Sequence, residues 1–229
     1  MLTSKLNASS PTEAIYERIW SAIAERNLRP GTRLKEEQLA EIFAVSRARV
    51  RSALAALERD GLVKLVPNRG AFVAEPTIEE ARDVFFARST IEGRLVERLC
   101  ANAGTEAIDR LKAYVAEERA AAERRDRAAA IRLSGGFHLL IAELAGSPYL
   151  FEVLRDLVSR TSLITAMYQP QSEQDCGPDE HEEIVAMIGR GDAEAAKRAM
   201  DHHLNHIEHQ LNLEQSDERP RQLREILSR

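Results

Sequence analysis

The chain has 229 residues, of which 44% are hydrophobic, 30% charged and 5% aromatic. That is apolar enough for one large core or two modest ones, and it excludes intrinsic disorder, collagen-like structure and a disulfide scaffold. The two cysteines, Cys100 and Cys176, stand far apart outside any CxxC spacing and read as free thiols in a reducing compartment. No apolar run reaches the roughly 18 residues of a membrane span. Residues 1–13 lack the apolar centre of a signal peptide, so a cytoplasmic protein is expected.

The net charge of −5 is unevenly distributed. Residues 1–75 carry 12 Lys and Arg against 9 Asp and Glu, whereas the remainder carries 20 against 28. Such a split suits a chain whose amino-terminal part meets a polyanion.

Ser10-Pro11-Thr12-Glu13 has the form of a capping box with proline at the first helical position, and predicts a helix over about 11–26. Its buried side is Ile15, Ile19, Trp20 and Ile23. Arg29-Pro30-Gly31 then turns the chain. A short helix follows over about 36–43, with Leu39, Ile42 and Phe43 inward. Ser46 is placed to cap a third helix that runs to Asp60 and stops at Gly61. Two strands, 62–66 and 71–74, flank the turn residues Pro67-Asn68-Arg69-Gly70.

Three helices and a hairpin are the layout of a winged helix-turn-helix. The third helix buries Val50, Leu54 and Leu57, while Arg47 and Arg51 stack on one flank and Arg49 lies on the other. Ala48 and Ser52 keep the outward centre small, which lets backbone amides approach phosphate and lets arginines reach guanine edges. Arg69 at the hairpin tip suits a narrow minor groove. The plainer alternative is a solvated basic helix in a structural domain.

The segments Pro30-Gly31-Thr32-Arg33-Leu34, Val45-Ser46-Arg47, Val50-Arg51, Asp60-Gly61-Leu62-Val63 and Asn68-Arg69-Gly70-Ala71-Phe72-Val73 resemble the GntR family of bacterial transcription regulators. The resemblance implies DNA contacts from Arg33, Ser46, Arg47, Arg51, Arg69 and Gly70, with Ala48 and Arg49 in the same interface. Ala48-Arg49 replaces the usual Thr-Pro, and Ser52 the usual Glu, so the operator sequence of relatives does not carry over.

After the linker 74–77, with a second capping box from Thr77 and Glu80, only helices are predicted. They run over about 78–103, 105–125, 127–145, 148–169, 179–189 and 192–213, with a polar loop over 169–178 and a charged tail from 214. The fold class is therefore mostly α. Residues 1–75 form a winged helix-turn-helix, 76–213 an all-helical bundle for ligand binding and dimerisation, and 214–229 a tail. The charge run from Glu117 through Arg127 reads as a solvated face.

All six histidines fall in the bundle, on three helices. Imidazoles from separate helices can converge on a metal in a bundle core, although buried or surface histidines without a metal are commoner. Arg88 with Ile91-Glu92, Phe137-His138 through Ala145-Gly146, Glu180-His181, and Gly191-Asp192 through His203-Leu204 resemble the FCD ligand-binding domain that accompanies such heads. Many relatives bind a divalent metal through an Asp and three histidines. Here His138, His181 and His203 match the histidines, and Ser134 stands at the Asp position. Zinc or nickel would suit such a set. The resemblance further implies a small effector, commonly an organic acid, in the bundle cavity.

Arg88, inward by periodicity, is the candidate partner for the effector's carboxylate, with Ser134 and Arg160 as further pocket residues. A plain Arg88–Glu92 salt bridge is the competing reading. Together these features point to an effector-modulated regulator, commonly a repressor, that binds a pseudo-palindromic double-stranded operator as a homodimer and meets no membrane. A metal-dependent hydrolase with an appended DNA-binding module is the alternative. It lacks HExxH, a phosphate loop or a nucleophile elbow.

Overall fold

The computed structural model describes residues 10–168, 177–211 and 227. The opening residues 1–9, residues 169–176 of the loop expected over 169–178, with Cys176, and the tail from 214, apart from Leu227, lie outside these; Gly177 and Pro178 belong to a helix instead. Two compact units are present: residues 1–75 with 219–229, and residues 76–218.

In the first unit, α1 (Pro11–Ala24) starts at the expected capping box, in which the Ser10 side chain accepts from the Glu13 amide and Glu13 reaches back to the Ser10 amide. α2 (Glu36–Ile42) buries only Leu39, with Ile42 and Phe43 half-buried. α3 (Arg47–Arg59) buries Val50, Ala53, Leu54 and Leu57. Gly61 takes φ +69°, the left-handed geometry that a residue without Cβ adopts at no cost. Ser46 sits at the N-cap, but its hydroxyl makes no capping bond, contrary to expectation, and stays exposed.

The wing has three strands. β2 (Val63–Val66) pairs antiparallel with β3 (Gly70–Val73), and β3 also pairs with β1 (Arg33–Leu34), giving the order β1-β3-β2. A two-residue strand is too short to show alternation, so β1 is invisible in the sequence. Its register sets Arg33 opposite Phe72, and the Arg33 and Arg69 guanidinium groups stand 5.9 and 5.6 Å from the Phe72 ring centre. Those distances suit cation–π contact.

The second unit is all helix: α4 (Ile78–Asn102), α5 (Thr105–Glu123), α6 (Arg127–Leu144), α7 (Pro148–Tyr168), α8 (Gly177–Arg190) and α9 (Ala193–His209). α4 packs against α6, α7, α8 and α9, and α5 against α6 and α8. Phe85, Leu95, Val96, Leu99, Phe137, Ile141, Leu154, Ile184 and Met200 form one core. Only half of the second capping box forms. Thr77 accepts from the Glu80 amide, but the Glu80 carboxylate turns to Arg160, 2.6 Å away.

Two adjacent glycines inside α6 cost roughly 1 kcal/mol each relative to alanine. Space explains both. A Cβ on Gly136 would lie 1.9 Å from the Tyr114 hydroxyl, and one on Gly135 would lie 2.9 Å from Ser162 and Val158. Their absence lets α6 approach α5 and α7 closely beside Ser134 and His138.

Candidate nucleic-acid interface and buried histidine centre

The first unit presents Arg33, Ser46, Arg47, Ala48, Arg49, Arg51, Arg69 and Gly70 as exposed residues. They come from the start of α3, from β1 and from the wing. The free amides of a helix start and its dipole favour an anion there. Arg51 donates to Glu36 at 2.8 Å, and Arg47 stands 3.8 Å from the same carboxylate. Both pairs are largely exposed. Such pairs are worth about 1 kcal/mol or less, so phosphate or a guanine edge can displace Glu36.

In the second unit, His138 (α6), His181 (α8) and His203 (α9) meet in the core, each at most 1% exposed. His203 Nε2 stands 3.0 Å from His181 Nε2 and 3.3 Å from His138 Nε2. Phe137 stacks on His181 with ring centres 4.0 Å apart. Each imidazole has its other nitrogen on a carboxylate: His138 Nδ1 lies 2.5 Å from Glu92, His181 Nδ1 2.7 Å from Glu118, and His203 Nδ1 2.7 Å from Glu180.

Burial, with Arg88 and the neighbouring imidazoles, holds His138 well below the ordinary range. Burial likewise pushes His181 down to about 3 and His203 down to about 4. All three are neutral at pH 7. An ionised carboxylate accepts and cannot donate, so it places the single proton of its imidazole on Nδ1; Glu118, whose carboxyl is raised to about 7, does so for His181 once it is deprotonated. Three Nε2 lone pairs then face one another with no proton between them. Nitrogen donors about 2.0–2.1 Å from a tetrahedral zinc stand roughly 3.3 Å apart, so the observed spacing fits such an ion. Among the described residues these three form the group of side chains able to hold a metal.

A small cavity of about 50 Å³, open at its mouth, adjoins the centre and is lined by Arg88, Ser134, His138, Glu180, His203 and His206 among others. Arg88 is 2% exposed and donates through Nε to Glu92 at 2.7 Å, so the competing salt bridge is real. Its Nη2, however, is buried with no hydrogen-bond partner among the described residues. Arg160 is not on this wall. It is partly exposed and pairs with Glu80 and Asp156, since its position on α7 turns it toward the start of α4.

Glu118 corrects a second expectation. It is fully buried, and burial raises its carboxyl to about 7, against the opposing influence of His203 and Ser134. Its signal was present: Leu111, Val115 and Glu118 recur at i, i+4 and i+7 on one helical face. Glu180 and His206 had no such signal. Burial pushes Glu180 up, but hydrogen bonds from His203 and His206 outweigh it and hold the carboxyl below its usual range.

A winged helix-turn-helix unit and an all-helical unit with a polar centre, in one chain, define a transcription regulator. The description "Bacterial regulatory proteins, gntR family" matches residues 11–73, and "FCD domain" matches residues 83–206. The chain belongs to the GntR family of bacterial regulatory proteins, with an FCD domain as its helical part. It is 26% identical over 219 residues to the HTH-type transcriptional repressor RspR of Escherichia coli strain K12, covering 93% of this chain and 96% of that protein. It is 29% identical over 221 residues to the HTH-type transcriptional repressor NanR of Escherichia coli strain K12 / DH10B, covering 86% and 82%. A solved transcriptional regulator GntR from Rhodococcus sp. RHA1 aligns with a TM-score of 0.71 at 25% identity, over 88% of this chain and 97% of that one. The family and these relatives are regulators, not enzymes, which overturns the hydrolase alternative. Among the described residues no helix is long and apolar enough to cross a membrane.

Proposed function

We propose that the protein is a repressor that binds a pseudo-palindromic operator as a homodimer and releases it when a small carboxylate enters the helical unit. On this reading residues 1–75 read DNA in the cytoplasm, and residues 76–213 sense the effector and dimerise. The observation that carries the DNA half is the exposed row Arg47, Arg49 and Arg51 at the start of α3, beside a wing that presents Arg69. Selection from a random duplex pool at near-physiological salt is the test. A short inverted repeat is expected to enrich, and Arg51→Ala to bind it about 10–100-fold more weakly, a loss of about 1–3 kcal/mol. Salt-sensitive binding with no enriched sequence would oppose this reading.

We read His138, His181 and His203 as the ligands of one divalent ion, zinc or nickel, supported by their converging lone pairs. Such an ion would offer an effector oxygen a further coordination position. The residue set fits an effector carboxylate as well. Arg88 lines the cavity and keeps a buried Nη2 without a hydrogen-bond partner among the described residues, and Ser134, Thr161, Ser162 and Thr165 are further lining residues.

Arg88→Ala is expected to abolish the thermal upshift that a panel of small mono- and dicarboxylates gives the wild-type protein, with operator affinity within about twofold of wild type. An unchanged upshift would remove Arg88 from the effector site. Loss of the fold would assign Arg88 to its pair with Glu92 alone, since stripping one partner from a buried pair costs about 3–5 kcal/mol.

A further inference from the structure

We propose that Glu92, Glu118 and Glu180 are positioning residues of the histidine centre, one for each imidazole. The inference rests on the metal reading above and concerns how this chain prepares its ligands.

The pairing is one to one and comes from three helices. Glu92 on α4 holds His138, Glu118 on α5 holds His181, and Glu180 on α8 holds His203, each through Nδ1 at 2.5–2.7 Å. Glu92 and Glu118 are fully buried, and the Glu180 side chain is 14% exposed. A carboxylate on Nδ1 selects the tautomer whose Nε2 lone pair is free, turns the ring, and makes that nitrogen a stronger donor. All three Nε2 atoms accordingly point at one locus.

Two of the carboxylates are themselves pinned by a second group: Arg88 Nε donates to Glu92 at 2.7 Å, and His206 Nδ1 bonds the remaining oxygen of Glu180. The remaining oxygen of Glu118, Oε1, is buried with no hydrogen-bond partner among the described residues. Glu92 and Glu180, held on both sides, cannot swing away, so His138 and His203 are fixed before any ion arrives, whereas Glu118 holds His181 through one oxygen only. Three buried or nearly buried carboxyl groups also surround a set of neutral ligands. Desolvated charge is costly unless a cation compensates it, and Arg88 supplies only one. A hydrophobic core has no use for this arrangement, whereas a dication does.

The test is metal affinity in the full chain, stripped with a chelator and titrated with zinc against a chromophoric competitor, with the cobalt(II) visible spectrum as a second readout. Glu92→Ala, Glu118→Ala and Glu180→Ala are each expected to weaken zinc binding about 10–100-fold and to shift the cobalt bands, with helical circular dichroism unchanged. Glu→Gln at each position keeps the shape and an oxygen that accepts from Nδ1, and its affinity is expected to fall between wild type and alanine. Wild-type affinity and spectrum in all three alanine variants would overturn the proposal. Where an alanine variant fails to fold, its glutamine partner decides, and unchanged affinity and spectrum there overturns it at that position. A wild-type protein that takes up neither zinc nor cobalt sinks the metal reading itself, an outcome distinct from metal binding that ignores the glutamates.

Discussion

His203→Ala is expected to lose the metal. Its Nε2 lies 3.0 and 3.3 Å from the other two donors, so it is the central member of the set. If four ligands share evenly the roughly 10–16 kcal/mol of a structural zinc site, one is worth about 2.5–4 kcal/mol, or about 100–1,000-fold in affinity. The metal content of protein purified without chelator, measured by mass spectrometry, checks this. His202→Ala is the control, because His202 is exposed whereas its neighbour His203 is buried. Equal metal in the two variants would show that the buried histidines are not the ligands.

The second large effect is acid instability of the metal-free protein. His138, His181 and His203 are held neutral, with pKa values below the ordinary 6.5. On unfolding each regains its ordinary basicity, so below pH 6.5 the unfolded chain binds more protons and stability falls as pH falls. Glu118 acts in the opposite sense. Its carboxyl, raised to about 7 in the fold, takes up a proton there between about pH 7 and 4.5, which favours the folded state. Three imidazoles outnumber one carboxyl. The net loss is therefore about 1.4 kcal/mol per pH unit for each excess proton, through the window from 6.5 down to about 4. Thermal melts of the second unit are expected to drop steeply across that window. His203→Ala, with one such group fewer, is expected to melt with a shallower pH slope. A flat profile would contradict the buried, neutral state of the imidazoles.

Local chemistry made much of the first unit legible. Ser10 with Glu13, Gly61 after α3, and Asn68 to Gly70 in the wing are signals read within a few residues, and each corresponds to an observed boundary or turn. Ser46 shows the limit of such reading. A hydroxyl at the N-cap position is permitted to cap but is not compelled to, and here it remains exposed. The Glu80 carboxylate shows the same competition, because a guanidinium from a distant helix is a stronger partner than the local Thr77 amide.

In the helical unit, the sequence placed six histidines on three helices, and the family resemblance singled out His138, His181 and His203 among them. Which nitrogen of each ring faces inward, and what holds it there, depends on residues 46, 63 and 23 positions away in the chain. No window of sequence contains those pairs. Glu118 was readable as buried from its place after Leu111 and Val115, but not as the partner of His181. Arg160 was misread because an inward-looking position on α7 can face either the cavity or the start of α4.

By itself, then, the sequence determined the two-unit layout, the helical class, the third helix with its exposed arginines, and the histidines as a set, because capping, turn and amphipathic signals act over one or two helical turns. Only the tertiary structure decided that three carboxylates orient those histidines, that Glu118 is interior, and that Arg88 both forms a salt bridge and retains an unsatisfied donor. Those outcomes depend on how five helices pack around one desolvated point. There the cost of an unpartnered charge, set by surroundings and not by local sequence, selects the partners.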